Sequence, residues 1–197
     1  LGKENIIEKI GTYSFTIDCE TFFQTNSKQV KNLYDIVKQE CGFSGDEIVY
    51  VLYSGSGTIS IFISEFVRKV VGIELNSASV TAAHENVRRN NISNCHFIQG
   101  KMRSLLKYPL PLFKKHGRPD VVIIDPPRSG MDVKTSERIK NLGASTIIYV
   151  SCNPSTLARD LKILNSGYSI KQVVPVDMFP QTPHIESVTT LIKRSGN

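Results

Sequence analysis

"EIVYVLYSGSGTISIFISEFVRKVVGIE", residues 47–74, decides the fold. Its first seven residues are a near-continuous apolar run, the pattern of a strand buried on both faces. Ser54-Gly55-Ser56-Gly57 then breaks the run, and its glycines let the backbone turn tightly and come close to a ligand. A helix through Ile59, Ile61, Phe62 and Phe66 follows, and residues 69–74 read as a second apolar strand that ends on an acid. Strand, glycine turn, helix and strand make a βαβ unit, so the two strands run parallel. Glu74 stands where such units use a carboxylate to accept hydrogen bonds from ribose hydroxyls; a solvated strand-end acid is the plain alternative. The glycine pattern stops short of G-x-G-x-x-G, which favours an adenosyl ligand without a pyrophosphate over NAD.

The same alternation extends in both directions. Upstream, "TYSFTID" after Gly11 alternates like a strand, and Asn26 or Ser27 caps a helix with Val30, Leu33, Tyr34 and Val37 on one face. Downstream come a helix over 78–90, strands at 95–100 and 119–125, and a polar helix. The run Ile147-Ile148-Tyr149-Val150 is a further strand, followed by a helix carrying Leu157, Leu161 and Leu164 with Ser155 as its cap. Two late strands, near 168–176 and 187–193, are joined by "DMFPQTPHIE", too short for a helical crossover and hence antiparallel. The expected class is α/β, with a mostly parallel sheet covered on both faces.

Composition narrows the setting. A chain of 197 residues holds one domain, or a domain plus a fragment of another. No run reaches the roughly 18 apolar residues of a membrane span, and residues 1–20 lack the pattern of a signal peptide. The chain opens on Leu1, so a cut from a longer protein is expected. Cys19, Cys41, Cys95 and Cys152 are widely spaced with no C-x-x-C pair, which argues against zinc or an iron–sulfur cluster in this segment and for a reduced, cytoplasmic setting. The formal net charge of +6 and pI near 9.1 suggest a polyanionic partner, although the basic pairs Arg68-Lys69, Arg88-Arg89, Lys114-Lys115 and Lys193-Arg194 are scattered.

Two further stretches fall at strand ends, where open α/β sheets put their ligands. "IIDPPRSG" sets Asp125 before a stiff double-proline turn whose shape is preset. "SCNPS" sets Cys152 where a buried strand stops. A cysteine at such a point is more often inert packing than a nucleophile, but this one sits among polar residues.

"FFQTN" (22–26), "LYSGSGTISIF" (52–62), "VVGIELNSASVTAAHENVRRN" (70–90), "DVVIIDPPRSG" (120–130), "YVSCNPSTLARDL" (149–161) and "VDMFPQTPHIESV" (176–188) resemble, in order, the RNA (uracil-5-)-methyltransferase family. The resemblance implies a Rossmann-like class I methyltransferase fold, with a seven-stranded sheet and an antiparallel last strand. It implies S-adenosylmethionine as methyl donor and a uridine of tRNA or ribosomal RNA as acceptor. Cofactor contacts carry over to Gln24, Tyr53, Gly55, Glu74 and Asp125, the nucleophile to Cys152, and the base that removes the C5 proton to Glu186. Residues 1–25 correspond to the tail of an upstream RNA-binding part and 26–197 to the catalytic domain. The chain departs from the family at Val51, where members carry an acid, and at Lys101, which brings no carboxylate to the adenine region.

The chemistry explains those residue types. C5 of uracil is too weak a nucleophile until something adds to C6, and a thiolate both adds readily and leaves again. The adduct keeps a proton on C5 that a base must remove. His184 and Asp125 are the candidates for tuning the thiol, whose unperturbed pKa is about 8.5. Phe179 is suited to packing against an unstacked base or to joining the core. Three other readings compete: a thiol hydrolase built on Cys152 and His184, a non-catalytic RNA-binding domain, and a methyltransferase acting on amino nitrogens. In the last of these an aromatic residue follows Asp/Asn-Pro-Pro, and here the residue is Arg128.

Overall fold

The computed structural model describes residues 5–18, 21, 23–24, 26–107 and 111–195. Cys19 lies outside them, as do Phe22 and Thr25 of the stretch around Gln24. In chain order the elements are β1 (Asn5–Ile10), β2 (Tyr13–Asp18), α1 (Ser27–Cys41), β3 (Ile48–Leu52), α2 (Thr58–Ile63), β4 (Lys69–Glu74), α3 (Ser77–Arg89), β5 (Cys95–Gln99), α4 (Met102–Leu105), α5 (Pro111–His116), β6 (Val121–Ile124), α6 (Val133–Leu142), β7 (Thr146–Ser151), α7 (Pro154–Leu164), β8 (Tyr168–Val176) and β9 (Glu186–Lys193).

Seven strands form one sheet in the order β5-β4-β3-β6-β7-β9-β8. Strands β3 to β7 pair in parallel, and β9 runs antiparallel to both β7 and β8. The expected mostly parallel sheet is therefore present, and the short 177–185 connection does force the late pair antiparallel. Every residue of β3 and β6 is buried, which explains why their sequences are apolar without alternation.

The two faces of the sheet carry separate cores. Val49, Val51, Val70, Ile148 and Val150 pack with α1, α2 and α3 on one face. Tyr50, Leu52, Val71, Ile124 and Tyr149 pack with α4 to α7 on the other. Each fully buried Val, Leu or Ile contributes about 1.5–3 kcal/mol relative to exposure, so this double layer dominates the stability of the domain. Among the described residues, no helix is long and apolar enough to cross a membrane.

Three details differ from the sequence reading. The strand β1 carries no periodic signal because only Ile10 is buried, yet it pairs with β2 in a separate two-stranded sheet. That hairpin is fastened to the domain: Ile10 and Phe15 enter the first core, Asn86 Oδ1 accepts Thr16 N–H at 2.8 Å, and Asn90 Oδ1 accepts Ser14 N–H at 2.9 Å. The short helices α4 and α5 fill the stretch between β5 and β6, where no element is expected. The cap of α7 is Asn153 rather than Ser155: its Oδ1 accepts Ser155 N–H at 3.0 Å, and Pro154 takes the first helical position, where a missing N–H costs nothing. At α1 the cap is Asn26, which accepts Gln29 N–H at 3.3 Å.

Candidate active site

The carboxyl ends of the parallel strands open into a cleft of about 1230 Å³. Gln24, Tyr53, Gly55, Glu74, Asp125, Cys152 and Glu186 all line it.

Strand register assembles this row. Leu52 pairs with Ile73 on one side and with Ile124 on the other, so the next residues, Tyr53, Glu74 and Asp125, stand abreast at the sheet edge. Tyr53 has φ 60, a left-handed conformation that costs a non-glycine residue about 1–2 kcal/mol and marks the turn as held by its surroundings. Burial pushes its phenol up to about 12, and the charges of Asp132, Asp160 and Glu74 add to the effect.

The glycine loop is clamped from below. Glu74 Oε2 accepts Gly55 N–H at 3.0 Å, while Oε1 accepts the N–H groups of Leu75 at 2.6 Å and Asn76 at 2.8 Å. Three donors fix this carboxylate and still leave acceptor capacity facing the cleft. Gly57 has φ 85, and a Cβ there would lie 2.7 Å from the ring of Phe97; Gly72 opposite would come within 2.4 Å of the same ring. Both glycines therefore let Phe97 pack under the loop. Leu75 remains 56% exposed at the cleft, an apolar surface suited to a flat heterocycle.

The other end of the cleft is built by β7 and β9. Ser151 pairs with Ser187 in an antiparallel register, so Cys152 and Glu186 are the next opposed pair, brought together from 34 residues apart. Because β9 runs antiparallel, its first residue lies at the carboxyl edge of its parallel neighbours. Glu186 is buried, unlike an ordinary surface acid. Burial raises its carboxyl, and Arg128 opposes that rise. Burial and then the Glu186 charge raise the Cys152 thiol, while its own backbone N–H and Arg128 lower it. Desolvation, with Glu186 adding, pushes Asp125 up to about 7.

The loop that carries Asp125 and Arg128 is locked by α7. Arg128 O accepts from Asn153 Nδ2 and Thr156 Oγ1, each at 3.2 Å. Asp160, fully buried, accepts Met131 N–H at 2.8 Å, Tyr149 O–H at 2.7 Å and Arg159 Nε–H at 2.9 Å. Arg159 Nη2 in turn donates to Ser129 O at 2.9 Å and Met131 O at 2.8 Å. Gly130, at φ 70, leaves room for this cluster, since a Cβ would meet Arg159 and Asp160 within 2.7 Å.

His184 is exposed and does not line the cleft, so it is not brought to Cys152. Phe179 packs against the first core, one of the two roles weighed for it, and also lines the cleft. Val51 is fully buried in that core and does not line the cleft, so the missing acid leaves no gap in its wall. Sequence reasoning missed Arg128 as the cation facing Cys152 and Glu186, although its place beside Asp-Pro-Pro pointed to the loop. It also read Tyr34 as a core residue only; its hydroxyl lies 2.7 Å from Thr58 Oγ1 at the cleft wall.

The seven-stranded sheet with an antiparallel penultimate position, the glycine loop and the strand-end acid define a Rossmann-like methyltransferase domain. Structures of low identity share this fold alone, such as precorrin-6y C5,15-methyltransferase from Geobacter metallireducens GS-15, at 16% identity and a TM-score of 0.67 over 83% of this chain and 89% of that one. The chain belongs to the tRNA (uracil-5-)-methyltransferase family, whose profile matches residues 4–107 and 112–194. It is 43% identical over 190 residues to an uncharacterized RNA methyltransferase of Bacteroides thetaiotaomicron, covering 96% of this chain and 41% of the relative. A Clostridium tetani relative is likewise 43% identical, over 98% of this chain and 41% of its own length. The crystal structure of Pyrococcus abyssi tRNA (uracil-54, C5)-methyltransferase in complex with S-adenosyl-L-homocysteine matches at a TM-score of 0.82 and 36% identity, covering 98% of this chain and 45% of that one. The chain thus spans about four-tenths of the length of the curated relatives it matches.

Proposed function

We propose that this chain is the catalytic part of an enzyme that methylates C5 of a uridine in tRNA or ribosomal RNA, with S-adenosylmethionine as donor. The observation that carries the reading is the opposition of Cys152 and Glu186 in one cleft with Glu74 and the glycine loop. In this reading residues 26–197 are the catalytic domain, residues 1–25 adjoin an RNA-binding part of the longer protein, and the enzyme works in the cytoplasm.

The cleft suits the donor chemically. Glu74 has acceptor capacity left for ribose hydroxyls, Leu75 offers an apolar wall for adenine, and Gln24, Tyr53, Gly55 and Asp125 are the remaining candidate contacts. S-adenosylmethionine, when bound, supplies the electrophilic methyl group that C5 takes.

Cys152 Sγ, as thiolate, bonds to C6 of the uracil and sends the C5–C6 electron pair towards C5 and O4. After C5 is methylated, the Glu186 carboxylate accepts its proton. The electrons of that C–H bond restore the double bond, and the C6–S bond breaks to return the thiolate. Burial raises the affinity of Glu186 for a proton, which suits a base that must take one from carbon, and Arg128 opposes that rise and so favours the carboxylate. Arg128 also favours the thiolate at Cys152. The uridine has to leave its stack to reach the cleft, and Phe179 is one of the aromatic residues of the cleft wall against which it can pack.

The test uses the full-length protein, S-adenosylmethionine and RNA containing 5-fluorouridine, analysed on a denaturing gel. Fluorine at C5 cannot be abstracted as a proton, so a covalent protein–RNA adduct should accumulate, and Cys152→Ser should abolish it. Absence of the adduct, with RNA and cofactor binding intact, refutes the covalent mechanism and favours methylation of an amino nitrogen.

A further inference from the structure

The basic pairs of the chain are scattered, but its net charge is not. Residues 100–119 contain Lys101, Arg103, Lys107, Lys114, Lys115 and Arg118 and no acid. The chain has 24 Lys and Arg against 18 Asp and Glu; setting these six aside leaves 18 against 18. The connection between β5 and β6, residues 100–120, adds only Asp120 to these six and so carries a net +5 of the chain's formal +6.

The fold turns that connection into a surface. Met102, Leu106, Leu112 and His116 are buried, and all but His116 join the second core; all six cations are exposed. Among the described residues, none of the six is in a salt bridge. Arg103 sits near enough to Asp132 to help hold that carboxyl low, and Arg118 stacks over Phe113 at 5.1 Å. The surface is extended by Lys69, whose Nζ donates to His116 O at 3.3 Å, and by His96, whose ring lies 5.7 Å from that of His116. After burial, every charge that acts on these two histidines is basic: Lys69 and Lys115 on both, and His96 on His116. At its other end the surface meets the cleft, since Lys101 and Arg103 line it.

Unpaired cations gathered on one face repel one another, and a polyanion relieves that repulsion while releasing its own counterions. We infer that the outward face of α4 and α5, with Lys69 and His96, is the track along which the phosphate backbone of the substrate RNA runs as it leaves the cleft. The inference rests on the RNA reading above and adds where the strand lies. Phosphate contacts of this kind position the RNA without reading its sequence.

The experiment measures binding of a short fluorescein-labelled RNA hairpin to the full-length protein by anisotropy across a salt series. The variant Lys107→Gln/Lys114→Gln/Lys115→Gln/Arg118→Gln leaves the cleft residues intact. It is compared with Lys134→Gln/Lys162→Gln/Lys171→Gln/Lys193→Gln, which removes the same charge from α6, α7, β8 and β9. The first should weaken binding at least tenfold at low salt and flatten the plot of log affinity against log salt by about 0.7 for each phosphate no longer neutralised. The second should change either quantity far less. Both should bind S-adenosylhomocysteine, followed by calorimetry, as the unmodified protein does, which shows that folding and cleft survive. Equal losses in the two variants, or no loss in the first, overturn the inference while leaving the methyltransferase reading standing. Failure of the unmodified protein to bind the RNA, with anionic phospholipid vesicles bound instead, overturns both.

Discussion

Asp125→Asn tests the electrostatics of the cleft through stability. Desolvation, with the Glu186 charge adding, moves the carboxyl from its ordinary 3.8 to about 7. A carboxylate with a raised folded pKa contributes its stability in full below the unfolded value and loses it as pH rises through the folded one. Each pKa unit is worth about 1.36 kcal/mol, so complete ionisation costs roughly 4 kcal/mol, a cost essentially complete above pH ~8 and less than about 2 kcal/mol at pH ~5. Asparagine keeps the shape and carries no charge. The variant should therefore exceed the parent in stability by roughly 4 kcal/mol at pH ~8.5 and by less than about 2 kcal/mol at pH ~5. Urea unfolding of the chain at the two pH values, followed by circular dichroism, reads the difference directly. A gain that does not grow with pH, or a loss at pH ~8.5, would show that Asp125 ionises freely and that its environment has been misjudged.

The locked loop and the thiol give two further tests. Asp160→Ala strands Tyr149 O–H and Met131 N–H at a buried site and takes one partner from Arg159, and should cost about 3–5 kcal/mol in urea unfolding; an unchanged midpoint would contradict the hydrogen-bonded lock. Alkylation of Cys152 by iodoacetamide, followed on its own peptide by mass spectrometry, should have an apparent pKa above the ordinary thiol value. Glu186→Gln should shift that profile to lower pH and Arg128→Gln to higher pH, because the first removes a charge that raises the thiol and the second one that lowers it.

Local chemistry is why so much of the fold was legible. Apolar runs without alternation mark β3 and β6, since both faces of those strands are buried. The spacing of Val30, Leu33, Tyr34 and Val37 marks the inward stripe of α1. A connection of nine residues between β8 and β9 leaves no room for a parallel crossover, so their direction could be read as well. Elements that bury little left no such trace: β1 hides only Ile10, and α4 and α5 are too short for a helical period to show. The cap of α7 was misread because Asn and Ser, two residues apart, are both good caps; the proline between them decides for Asn153.

The sequence by itself determined the α/β class, the βαβ unit, the residue types of the site and, through resemblance, their family roles. Only the tertiary structure decided that Cys152 and Glu186 stand opposite each other, that Glu186 is buried while His184, two residues earlier, is exposed, and that Arg128 is the cation beside them. It also decided that Val51 belongs to the core and that the cations between β5 and β6 are exposed while Met102, Leu106 and Leu112 beside them are buried. Periodicity, capping and turn preference arise from neighbours along the chain, whose interactions are fixed by backbone geometry. The company kept by distant residues depends on hydrogen-bond register between strands, and on which side of the sheet each connection packs.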